Sequence, residues 1–134
     1  MTNKFITLNQ QQLFFIHKQS EREAPREACG LLAGKAGVVT MVIPVNNAEP
    51  DSRRFRMDPK AQLRAMELMD IEGLEFLAIY HSHPKGKYYP SDTDVREHAY
   101  PVISVICSKV GRKWASQAFW IENGKFEEVP ILSA

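Results

Sequence analysis

The stretch that most restricts this chain is LEFLAIYH, Leu74 to His81. Apart from Glu75 it is apolar as far as Tyr80. Such a strand is buried on both faces, as in a sheet covered by helices. The flanking pattern supplies helices. Asn9 reads as an N-cap with Gln12 as its capping-box partner, and Leu8 and Leu13 hold the two positions of a hydrophobic staple. A helix is expected from about Gln10 to Ser20, with Leu13 and Ile16 inward and Pro25 making the break firm. ACGLLAG and VVTMVIPV read as a hairpin around KAG, NNAEPDSRR as a polar loop and FRM as a short strand. Asp58-Pro59 opens a second helix to about Glu72, stopped by Gly73, with Leu63, Met66 and Met69 as a packing stripe at spacing three. Ser91 starts a short helix to about His98. PVISVICS and KWASQAFWI are strands around KVGR, and NGKFEEVPI closes with a glycine turn and a last strand. The expected class is α/β: a mixed β-sheet flanked by helices, one domain over residues 1–134.

Charge and cysteine usage narrow the function. A formal net charge of +1 gives no global field for nucleic acid or an anionic membrane. Cys29 and Cys107 each lie in an apolar run and are expected to be buried free thiols of a reducing compartment. They are too far apart for a CxxC knuckle. MTNKFITLNQQQ lacks the apolar core of a signal peptide, and no run approaches the roughly 20 apolar residues of a membrane span. The expectation is a cytoplasmic protein with neither nucleic acid nor membrane as a partner.

The chemistry concentrates in HSHPKGKYYPSDTD, His81 to Asp94. His81 and His83 are two apart at a strand end, so their side chains share a face and can share an ion. A catalytic zinc site wants three protein ligands and one open position, and Asp94 is a suitable third. Two other readings stand beside this one. A nearby pair of histidines can be solvated and idle. Ser91 and Asp94 also form a capping box, which explains both without a metal.

His-Ser-His-Pro, seven residues from Pro84 to Pro90, then Ser-x-x-Asp resembles the signature of the JAMM (MPN+) zinc metallopeptidases, prokaryotic branch. PREACGLLAG is similar to the family's glutamate segment, and NNAEPDSRRFRMDP to the segment between glutamate and histidines. The resemblance implies the MPN/JAMM three-layer fold, which is related to that of the cytidine deaminases. It also implies one Zn²⁺ held by His81, His83 and Asp94, with Glu27 as general base and Ser91 as oxyanion donor. Only the resemblance brings Glu27, 54 positions before His81, to the metal. The implied reaction is hydrolysis of a peptide or isopeptide bond at the Gly-Gly tail of a ubiquitin-like sulfur carrier. The leaving group is open among cysteine, lysine or peptide, as is the oligomeric state. Arg53, Arg54 and Arg56 are candidates for meeting an acidic carrier, and Tyr88 and Tyr89 for touching substrate; His98 and His17 are expected to stand outside the metal site.

The alternative is a catalytically silent module of the same fold, although such relatives usually lack a ligand. A nucleobase deaminase would need H-x-E with P-C-x-x-C, and neither is present. A DNA-associated role is disfavoured by the near-neutral charge.

Overall fold

The computed structural model describes residues 3–134. Its strands are β1 (Ile6–Leu8), β2 (Cys29–Lys35), β3 (Val38–Val45), β4 (Glu75–His83), β5 (Ile103–Val110), β6 (Lys113–Glu122), β7 (Lys125–Val129) and β8 (Ile131–Ser133). Its helices are α1 (Gln10–Glu23), α2 (Pro59–Ile71) and α3 (Asp92–Glu97). All eight strands form one mixed sheet in the order β7-β6-β5-β4-β2-β3-β1-β8. β7 and β8 stand at opposite ends of that order, yet only Pro130 separates them in the chain. The sheet therefore curls until its ends approach. The Ile6 N–H donates to the Pro130 carbonyl at 3.2 Å.

Strand alternation divides the core into two clusters. Leu32, Ala78, Tyr80, Val105 and Cys107 pack with Ile16 of α1. Cys29, Leu31 and Ala33 pack with Ala65 and Met69 of α2 on the other face. β4 lies between β2 and β5 and is buried on both faces toward its end, as its composition implied. Tyr80 lies over Gly30, where an added Cβ would stand 2.3 Å from Tyr80 Cζ. Glycine is required there because an aromatic ring occupies the space.

Several expectations change in detail. α1 keeps its Asn9–Gln12 capping box and runs three residues beyond Ser20. α2 begins at Asp58-Pro59 as expected, but Leu63 is 59% exposed and Met66 half-buried. The buried row is Ala65 and Met69 at spacing four. Steps of three turn the helix by about 300°, so Leu63 and Met69 face about 120° apart. The FRM strand reduces to a single bridge between Asn47 and Met57. The final segment forms two strands, because Pro130 has no N–H to continue the ladder.

Candidate metal centre and active site

The antiparallel pairing of β2 with β4 answers how Glu27 can reach the histidines. Cys29 pairs with His81, and one step further the Ser82 N–H donates to the Ala28 carbonyl at 3.0 Å. Continuing that register sets Glu27 opposite His83. Glu27 also shares the parity of Cys29, so it faces the same side as His81 and His83. A gap of 54 positions in sequence becomes a gap of one strand.

Ser82 fixes this junction a second time. Its Oγ accepts the Ala28 N–H at 2.7 Å, and Ser82 is fully buried. Asn47 holds the other side, donating from Nδ2 to the Glu27 carbonyl at 2.9 Å. Asn47 Oδ1 also accepts the N–H groups of Glu49 and Arg56, which shapes the 47–57 loop. Phe55 from that loop stacks on His81 with ring centroids 4.4 Å apart. None of these three supports was anticipated. A serine buried between two histidines was a readable signal, since a buried hydroxyl needs a partner. Phe55 and Asn47 carried no such mark.

α3 delivers the aspartate. The Ser91 Oγ accepts the Asp94 N–H at 3.0 Å, and Asp94 Oδ2 accepts the Ser91 N–H at 2.9 Å. The capping box therefore exists, and the same Oδ2 lies 3.1 Å from His81 Nε2 and 3.0 Å from His83 Nε2. The two imidazole Nε2 atoms are 3.0 Å apart. Helix capping and convergence on the histidines are one arrangement rather than rival explanations.

Glu27, His81, His83 and Asp94 each offer a ligand atom, all within 4.8 Å of one another. His83 Nδ1 donates to the Lys87 carbonyl at 2.8 Å, which leaves its Nε2 as a bare lone pair aimed at the other two atoms. Ligands about 2.0–2.1 Å from a tetrahedral zinc stand about 3.3 Å apart, close to the spacing found here. His81 Nδ1 and Glu27 Oε1 are buried with no hydrogen-bond partner among the described residues. Stacking on Phe55 braces the His81 ring, whose Nδ1 is unpartnered while its Nε2 faces Asp94 Oδ2. Two imidazoles and a carboxylate at this spacing, with one acceptor of the neighbouring glutamate unsatisfied, fit a zinc ion.

The electrostatics match the burial. Burial pushes the Glu27 carboxyl up to about 7, against the pull of His81 and His83 and with a small push from Asp94. Burial would also raise Asp94, but His81, His83 and the Ser91 N–H hold it well below the usual carboxylate range. For His81 burial works against the charged form, and Asp94 outweighs it, so the ring is raised.

Beside the cluster a cavity of about 200 Å³ opens between the 47–57 loop and α3. Arg54 bridges its two walls, 3.0 Å from Glu97 on α3 and 3.8 Å from Glu49. Arg53 pairs with Asp51 at 3.2 Å, so these two arginines already have partners within the chain. Tyr88 and Tyr89 are exposed and touch edge to face, and Tyr89 stacks on Phe126. His17 lies elsewhere, 2.7 Å from Ser116 Oγ, while His98 lines the cavity.

Residues 11–122 match the family described as prokaryotic homologs of the JAB domain. The chain belongs to that family. It is thus a JAMM-type hydrolase by kinship as well as by motif. This JAB-domain protein is 46% identical over 112 residues to a probable TtuB-protein conjugate cleaving protease of Thermus thermophilus, covering 83% of this chain and 72% of that one. It is 34% identical over 113 residues to a desampylase of Haloferax volcanii, covering 81% and 79%. A solved protein of Desulfitobacterium hafniense superposes with a TM-score of 0.87 at 32% identity, covering 96% of this chain and 92% of that one. A JAB1/MPN domain protein of Archaeoglobus fulgidus, at 18% identity and TM-score 0.63 over 99% of both chains, shares the fold. No helix among the described residues is long and apolar enough to cross a membrane.

Proposed function

We propose that this JAB-domain protein is a zinc-dependent peptidase or isopeptidase that cuts at the C-terminal Gly-Gly tail of a ubiquitin-like sulfur carrier, in the cytoplasm. The observation that carries the reading is the convergence of Glu27 with His81, His83 and Asp94 beside an open cavity. The names of its relatives, a probable TtuB-protein conjugate cleaving protease, a desampylase and a CysO-cysteine peptidase, support the substrate class.

His81, His83 and Asp94 would hold the ion. When bound, zinc supplies Lewis acidity and makes a water more acidic, with a pKa near about 7. Glu27 takes the proton of the attacking water and passes it to the leaving amine. Its burial beside the ligands places the carboxylate where such a proton can be taken and passed on. Ser91 keeps its hydroxyl proton free, because its Oγ serves the helix as an acceptor. It can therefore donate to the oxyanion, a contact whose loss typically costs about 10²–10³ in rate. The 47–57 loop and α3 wall the groove in which an extended tail lies.

The test is cleavage of a Gly-Gly-ending carrier fused to a peptide, with and without chelator. Release of the peptide that stops on chelation and returns with zinc is expected. Undiminished release in chelator would overturn the metal's role, and no release at all would favour the silent module.

A further inference from the structure

Charge balance in the cavity beside the cluster leaves one cation over. Histidines aside, the charged side chains that line it are Arg54, Arg56, Asp94 and Glu97. Glu97 takes Arg54, at 3.0 Å. Asp94 faces His81 and His83, at 3.1 and 3.0 Å. The Arg56 side chain is exposed and makes no hydrogen bond or ion pair among the described residues. A carboxylate entering the cavity meets this guanidinium with no ion pair to break first.

An ordinary surface arginine can also lack a partner. Arg56 differs in how its backbone is held. Its N–H donates to Asn47 Oδ1 at 3.0 Å, and its carbonyl accepts the Ala48 N–H at 2.7 Å. Asn47 is itself buried and tied to the Glu27 carbonyl. On one side of Arg56, Phe55 stacks on His81. On the other, Met57 is buried and bridged to Asn47. The main chain is fixed and the side chain alone is free. Arg53, by contrast, is 81% exposed and pairs with Asp51, two residues away. A guanidinium stays charged at every working pH and meets a carboxylate through two parallel N–H···O bonds. Phe55, Met57 and Ile79 give the cavity apolar wall, which reduces the screening of such a pair by water.

We propose that Arg56 is a specificity-determining residue: its guanidinium pairs with a carboxylate of the substrate lying in the cavity. The inference rests on the proposed function of this site. Two parts of such a substrate carry that group. One is the terminal carboxylate of an amino acid joined to the Gly-Gly end. The other is an acidic side chain of the carrier close to its tail.

The test uses the zinc-loaded full chain and a ubiquitin-like carrier ending in Gly-Gly, joined by ligation to cysteine. One substrate keeps the free carboxylate of that cysteine. A second carries its carboxamide. A third keeps the carboxylate but has the acidic residues beside the tail changed to their amides. Arg56→Ala is expected to raise KM about threefold to tenfold on the first substrate, between the worth of an exposed ion pair and that of a shielded charged hydrogen bond, with kcat little changed. Arg56→Lys, which keeps the charge and loses the fork, recovers part of the loss. Arg53→Ala leaves KM unchanged. The effect of Arg56→Ala shrinks on the carboxamide if the terminal carboxylate is the partner, and on the third substrate if the carrier supplies it. An effect undiminished on both altered substrates overturns the proposal. So does an unchanged KM in Arg56→Ala, or an equal rise in Arg53→Ala, since then only the loop's general charge matters. If the unmodified enzyme cleaves none of the three, the substrate reading falls and takes this inference with it. If it cleaves them and Arg56→Ala matches it, only the role of Arg56 falls.

Discussion

Ser82→Ala separates the placement of Glu27 from the binding of metal. Ser82 Oγ accepts the Ala28 N–H at 2.7 Å, in a site where Ala28 and Ser82 are 1% and 0% exposed. Removing the oxygen leaves a buried N–H with no acceptor. Such a loss costs about 1–3 kcal/mol. The strand pairing survives, because the Ser82 N–H still donates to the Ala28 carbonyl. Glu27 then keeps one side-chain tether, the Asn47 bond to its carbonyl. His81, His83 and Asp94 do not use the lost bond. Urea unfolding should show the loss of about 1–3 kcal/mol. Zinc affinity should be unchanged, and kcat should fall by between about tenfold and 10²-fold, as misplacement of a reacting group does. A variant that loses stability but keeps full kcat would refute the claim that this junction positions Glu27. A parallel fall in zinc affinity would show that Ser82 serves the ligands instead.

Glu27 gives a signature in metal-free protein. Its carboxyl is raised from 4.5 to about 7, so the folded state binds more protons between those values and stability falls as pH rises through them. The contribution is at most roughly 3 kcal/mol, fully present below about pH 4.5. Glu27→Gln should flatten that slope in chelated protein, and a slope unchanged by the substitution would refute the shift. Cys29 and Cys107, pushed by burial to about 12, should resist a thiol reagent at pH 8 in the native state and both react once unfolded. Rapid native labelling of either would contradict its burial. Gly30→Ala forces a Cβ to 2.3 Å from the buried Tyr80 ring and should destabilise by about 1–3 kcal/mol or more in urea unfolding. A neutral result would mean that Tyr80 has room to move.

The legible parts of this molecule were those set by local rules. The Asn9 capping box, the Asp58-Pro59 start of α2, the two-faced burial of β4 and the shared face of His81 and His83 all follow from a few adjacent residues. The Leu63 stripe failed because a spacing of three drifts around a helix, whereas Ala65 and Met69 at spacing four stay on one face. Glu27 was not readable from spacing, since its approach depends on which strand pairs with β4 and in what register. Phe55 and Asn47 were invisible for a related reason. They act from an irregular loop whose path is set by contacts distant in sequence. His98 is not among the four clustered residues; it lines the cavity beside them because α3 turns one face toward the cleft.

Metal content measured together with turnover reaches the heart of the account. The unmodified protein and Glu27→Gln should each carry one zinc per chain, with cleavage lost only in the latter, while the double variant His81→Ala/His83→Ala should carry none. Stoichiometric zinc in that double variant, or full turnover by Glu27→Gln, would contradict it.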